Sequence, residues 1–171
     1  MTTAAVRDLV TAGRGGWVPR GLVGQTADEL RTICADSGWA FAEVTLNGVV
    51  DKLGLMRTLA QQLGLPDHFG HNWDALADCL ADLAPEAPGV VLRLRGLWRI
   101  PEPLVEPLVE VLDERVGAAI HRDDLEAGRP IAGEGSDDGV PHASAPLLIV
   151  ADPPLPVRRR ALITRRNPGG G

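Results

Sequence analysis

Apolar positions recur along the chain with helical spacing in several separate segments, and each segment carries its own start and stop signals. Thr26 and Glu29 form an S/T-x-x-E capping box, Leu30, Ile33 and Cys34 supply one apolar face, and Gly38 closes a helix expected over Ala27 to Ser37. Trp39 to Leu46 is aromatic and β-branched and ends at the Asn47-Gly48 turn signal, which predicts a strand. Asp51 caps a second helix in which Leu53, Met56, Leu59 and Leu63 share a face, until Gly64 and Pro66 stop it. Pro66 to Asn72 is a tight loop, and Asn72 caps a third helix with Trp73, Leu76, Leu80 and Leu83 on one stripe, ending near Ala84-Pro85.

The second half is less regular. Val90 to Leu94 is a second strand, apolar enough to be covered on both faces. Pro101, Pro103 and Pro107 argue against one continuous helix, so a short turn is expected first, then a helix from Pro107 to Ile120 bearing Leu108, Val111, Leu112 and Val116. Asp123 to Pro146, rich in Gly, Pro, Ser and Asp, reads as a long acidic loop, and Leu147 to Val150 as a third buried strand. The glycine-rich segment 13–24 makes residues 1–25 a flexible arm, and residues 153–171 read as a basic, disordered tail. The expected domain is therefore 26–152: a small three-stranded parallel sheet packed by helices, with an extra N-terminal helix.

Composition narrows the classes. No run approaches the roughly 18 apolar residues of a membrane span, and the first twenty residues lack the apolar stretch of a secretory signal, so a cytoplasmic location is expected. Cys34 and Cys79 lack zinc-site spacing and read as reduced, buried thiols. Trp39, Trp73 and Trp98 read as core residues, whereas Trp17 has no evident burial. Met1 to Asp152 carries 12 basic residues against 23 acidic ones, a formal −11, while Arg158, Arg159, Arg160, Arg165 and Arg166 all follow Asp152. A body so acidic repels nucleic acid and attracts basic partners.

The segment Leu65 to Leu83 concentrates that charge. Asp74, Asp78 and Asp82 are four residues apart and so line one helix face, with Asp67 just ahead, and no Lys or Arg occurs between Arg57 and Arg93. Like charges at this spacing disfavour a helix by about 0.2–0.5 kcal/mol per pair. Two accounts fit: a solvated face relieved by arginines distant in sequence, or a docking surface for cations. An enzyme reading finds no nucleophile and base. A metal reading has only His68 and His71 with Asp67 and Asp74, and no cofactor is implied.

LPDHFGHNWDALADCL (65–80) resembles the barstar family of intracellular ribonuclease inhibitors in its Leu-Pro, acidic, aromatic, Gly and Asn positions, followed by Asp-Ala-Leu and Asp-Cys-Leu. The resemblance extends more weakly over Trp39 to Asp152. It implies a barstar-like α/β fold that is not an enzyme, whose acidic helix and preceding loop plug the phosphate-binding active site of a secreted-type ribonuclease, without contacting nucleic acid or membrane. Asp78 falls at the main inhibitory aspartate and Asp74 at a second contact, with His68, Phe69, Gly70, His71, Asn72, Trp73 and Ala77 completing the surface. A further acidic contact corresponds to Asp113 or Glu114, of which Glu114 is favoured. The sequence departs from the family at His68 (a tyrosine there), His71 (a glutamate) and Ala77 (an aromatic), which leaves open a different basic protein or toxin as partner.

Overall fold

The computed structural model describes residues 2–18, 24–126 and 145–152. Its elements are α1 (Thr2–Thr11), β1 (Gly16–Trp17), α2 (Ala27–Ser37), β2 (Ala40–Thr45), α3 (Lys52–Leu63), α4 (Trp73–Ala81), β3 (Val90–Arg95), a 3-10 turn (Leu97–Arg99), α5 (Glu102–Glu126) and β4 (Leu147–Asp152). All strand pairs are parallel, in the order β1-β4-β3-β2.

The connections explain the layering. From β1 the chain crosses the whole sheet through α2 to reach β2, then returns strand by strand through α3 and α4 to β3 and through α5 to β4. Crossovers of one hand that travel in opposite directions place their helices on opposite faces. The core accordingly divides in two. Val90, Leu92, Leu94, Leu147 and Ile149 pack with α3, α4 and α5. Val91, Leu148 and Val150 pack instead with Val6, Val10, Leu30, Ile33 and Trp39. Strands flanked on both sides need apolar residues at consecutive positions, as in Val90 to Leu92 of β3 and Leu147 to Ala151 of β4.

The caps expected from sequence form. Thr26 accepts from the Glu29 N–H while the Glu29 carboxylate accepts from the Thr26 N–H, and Gly38 follows with φ +75°. Asp51 caps α3 by accepting from the Gly54 N–H at 2.6 Å, and Gly64 ends it in the left-handed region.

Several expectations are corrected. Residues 1–25 are not simply an arm: α1 buries Val6 and Val10, and Gly16–Trp17 pairs with Leu148–Ile149 as a fourth strand. Glycine makes that strand possible, because a Cβ at Gly15 would lie 3.0 Å from the Leu147 carbonyl oxygen. Trp17, expected to lack burial, is half-buried and packs on the larger core. On α3 the buried residues are Leu55, Met56 and Leu59, whereas Leu53 is 47% exposed. Lys52 and Leu53, in the first turn, are exposed, and burial begins at Leu55.

The last helix begins earlier and ends later than expected, so Asp123 to Glu126 is helical and not loop. Only one of its three prolines costs a helical hydrogen bond. Pro101 precedes the helix, Pro103 occupies the first turn, where N–H groups have no intrahelical partner, and Pro107 alone interrupts the ladder. That loss is of order 3 kcal/mol, and burial of Val105, Leu108, Val111, Leu112 and Val116 offsets it. The remainder of the expected acidic loop, 127–144, and the tail 153–171 lie outside the described residues.

Candidate functional site: an acidic helix and its leading loop

The loop between α3 and α4 is built from short-range bonds around one buried anchor. Leu65 N–H donates to the Ala60 carbonyl and Phe69 N–H to the Pro66 carbonyl, both at 2.9 Å, so the backbone reverses tightly over Pro66 to Phe69. Phe69 is buried and belongs to the core beneath α3 and α4. Its neighbours His68 and Gly70 are exposed. His71 is exposed too, with φ +52° and its ring centroid 5.0 Å from that of Phe69. A histidine in the left-handed region is uncommon, and here the turn of the chain into the cap residue requires it.

Asn72 then starts α4. Its Oδ1 accepts from the Ala75 N–H at 2.7 Å, satisfying a donor that the helix itself leaves free. Leu76 and Leu80 are buried, Trp73 and Ala77 are half-buried against the same core, and Asp74 and Asp78 project outward. The Lys52 ammonium sits 5.5 Å from the centroid of the Trp73 ring, which places the start of α3 beside the start of α4.

Helix α4 is shorter than its apolar stripe implied: it ends at Ala81, and Asp82 is its C-terminal cap residue, with φ −92° and ψ 8°. The expected row of three aspartates is thus two within the helix and one at its end. Asp74 lies in the first turn, where the macrodipole favours it. Among the described residues no basic side chain forms an ion pair with Asp67, Asp74, Asp78 or Asp82. The account in which distant arginines relieve the repulsion therefore finds no support there. Arg93, the next cation in sequence, bonds Glu43 at 2.7 Å and Asp152 at 2.8 Å on the sheet. The acidic field has a local effect: the Cys79 thiol is pushed above its usual range by burial, then by Asp78 and Asp82, and stays protonated. Cys79 is only partly buried, against the expectation for both cysteines, while Cys34 is buried and pushed up to about 11.

The two late acidic residues differ sharply. Asp113 accepts a 2.6 Å bond from the Trp17 indole N–H, whereas Glu114 is exposed. Next to them, Arg115 is 4% exposed and reaches the end of α4: its Nε donates to the Leu80 carbonyl at 2.8 Å and its Nη2 to the Ala145 carbonyl at 2.6 Å. Burial lowers its pKa from the usual value. Two carbonyls and a cation at a helix C-terminus form a favourable set, and they tie the turn of α5 that carries Glu114 to the end of the acidic helix. Sequence reasoning missed Arg115, although a signal existed. It lies four residues after Val111 and next to Val116, on a stripe otherwise apolar.

The geometry brings His68, His71, Asp74 and Asp78 onto a loop and helix that follow one another directly. It does not gather a metal site, since among the described residues no cluster of three or more His, Cys, Asp or Glu is placed to hold an ion. Nor is any described helix long and apolar enough to cross a membrane.

The structure is thus a parallel α/β protein with exposed carboxylates on a capped helix, none of them ion-paired among the described residues. The family model for Barstar (barnase inhibitor) matches residues 39–128, just over half of the chain. The chain belongs to the barstar family, whose members inhibit barnase-type ribonucleases and are not enzymes. No curated protein matches it closely enough to add to that assignment. The matched region begins at Trp39, so α1, β1 and α2 precede it.

Proposed function

We propose that this protein is an intracellular inhibitor of a secreted-type ribonuclease, with the loop 67–72 and α4 closing the enzyme's phosphate-binding cleft. Asp78 stands in for a substrate phosphate and Asp74 makes a second charged contact, while His68, Gly70, His71, Asn72, Trp73 and Ala77 shape the surface and Glu114 flanks it; Phe69, expected among these contacts, is buried and supports the loop from beneath. The observation that carries this reading is the pair of exposed, unpaired carboxylates on a helix whose start is fixed by the Asn72 cap.

The chemistry is electrostatic. A ribonuclease holds and cleaves a phosphodiester with Arg, Lys and His groups, and an ionised carboxylate accepts charge-assisted hydrogen bonds from the same groups. Leu76 and Leu80 hold the helix before contact, so little freedom is lost on binding. A basic protein other than a ribonuclease is the second reading. It is favoured by Ala77, a small half-buried residue, and by His68 and His71 at positions that set partner preference.

The test isolates a ribonuclease from the secretome of the producing cell and measures RNA cleavage with and without the protein. Inhibition by the wild type that is lost in Asp78→Ala supports the phosphate mimic. Equal inhibition by both proteins refutes it, and tight binding to a basic protein without nuclease activity favours the second reading.

A further inference from the structure

The sheet has one edge that its own elements leave largely open. In β2 the N–H of Ala40 donates to the Gly89 carbonyl, and just beyond it the N–H of Leu46 donates to that of Arg95, so even-numbered residues point toward β3. Phe41, Glu43 and Thr45 therefore direct their backbone N–H and C=O groups away from the sheet. Thr45 is closed by a side chain: Gln62 Oε1 accepts from its N–H at 2.8 Å and Gln62 Nε2 donates to its carbonyl at 3.0 Å, as a neighbouring strand would. No described residue hydrogen-bonds the outward groups of Phe41 and Glu43.

These groups face a groove of about 560 Å³. One wall is Leu63, Leu83 and Ala84; the other is Phe41 with the Arg31 guanidinium 5.2 Å from its ring centroid. We propose that this edge is a docking site for an extended segment of a partner protein, added as a strand beside β2, apolar toward Leu63 and Leu83 and bearing a carboxylate toward Arg31.

Three observations select that occupant. The unpaired donors and acceptors recur at every second residue, which is the complement of an extended backbone and of nothing smaller. The walls differ in chemistry, and successive side chains of a strand point to opposite faces, so an alternating apolar and acidic segment meets both. Of the two charged groove-lining residues, Glu43 is held by Arg93 at 2.7 Å, whereas Arg31 is paired with the highly exposed Asp28, a weak surface pair that a partner carboxylate can replace. The edge also lies between walls, which admits a bare chain but obstructs the edge of a second folded sheet with its own helices. The site is separate from the aspartates of α4, so it does not rest on the ribonuclease reading.

The probe is a blocked seven-residue peptide alternating valine and glutamate, titrated into the full-length, isotope-labelled protein. The proposal expects the amide signals of Phe41 and Glu43 to shift and their exchange with solvent to slow. Replacing glutamate by lysine weakens binding roughly two- to fivefold, as for exposed ion pairs. N-methylation of the peptide amides that face β2 weakens it about tenfold or more, since those hydrogen bonds are removed. Gln62→Ala adds Thr45 to the responding amides. No response at Phe41 and Glu43 with millimolar peptide overturns the proposal, as does binding indifferent to N-methylation. Shifts of the same amides with protein concentration alone, without peptide, assign the edge to a second copy of the chain and overturn it as well.

Discussion

The Trp17 indole N–H and the Asp113 carboxylate meet at 2.6 Å, joining a strand that precedes the family-matched region to the long helix inside it. That strand, β1, adds only two residues to the sheet at the edge of β4. Such a short strand has few ladder bonds of its own, so its position depends on the side chain that anchors it.

Trp17→Phe keeps the apolar ring and removes the donor. A half-buried carboxylate then loses its partner, and the expected cost is about 1–3 kcal/mol. Urea denaturation followed by tryptophan fluorescence and by circular dichroism measures it. An unchanged midpoint shows that this bond adds nothing to the hold of Val6, Val10 and the β1–β4 pairing on the N-terminal segment.

Asp113 also makes stability depend on pH. Its pKa lies above the usual 3.8 because burial disfavours the charge, with the Trp17 bond opposing and Glu110 adding to the rise. The folded chain thus binds this proton more tightly than the unfolded chain. The contribution is most favourable below the unfolded value and is lost as pH rises through the folded one. Wild type should therefore lose stability relative to Asp113→Asn as pH rises from below the usual 3.8 through the higher folded value. Parallel denaturation curves at several pH values in that range test the sign.

Arg115 ties two carbonyls with two different nitrogens, a geometry that a lysine ammonium does not reproduce. Arg115→Lys keeps the charge but loses at least one of these bonds, at an expected cost of about 1.5–3 kcal/mol. Hydrogen exchange should locate the loss: amides of the last turn of α4 should open faster than those of β3. Uniform opening would mean that the tie is global and not local to α4.

Stability and docking should respond oppositely at Asp78. Replacing it by alanine removes like-charge repulsion with Asp74, four residues away, and raises helix propensity, so the protein should gain about 0.2–0.5 kcal/mol. Affinity for the basic partner should fall in the same variant, and wild-type affinity should weaken with added salt. A less stable Asp78→Ala protein would place that carboxylate in the folding energetics.

Much of the candidate site was legible because its determinants are local. The Asn72 cap, the Leu76 and Leu80 stripe and the outward Asp74 and Asp78 all follow from spacing within one turn or two, and cap chemistry acts over three residues. The same holds for Thr26 with Glu29 and for Asp51. Where a contact spans most of the chain, spacing carries no such information. Glycines at 13, 15 and 16 suggested an arm because nothing nearby shows that the β4 edge waits to receive them. Leu53 looked like core because periodicity gives a face but not the angle at which the helix meets the sheet.

The amino-acid order by itself determined the capped helices, the apolar strands and the uncompensated run of carboxylates, since these depend on neighbours a few positions apart. The tertiary structure alone decided that Trp17 reaches Asp113 and that Arg115 closes the end of α4. It also decided that two prolines lie within one helix and that β2 is an edge strand among the described residues. Those outcomes turn on which surfaces meet across the sheet, where burial of many side chains outweighs local preference.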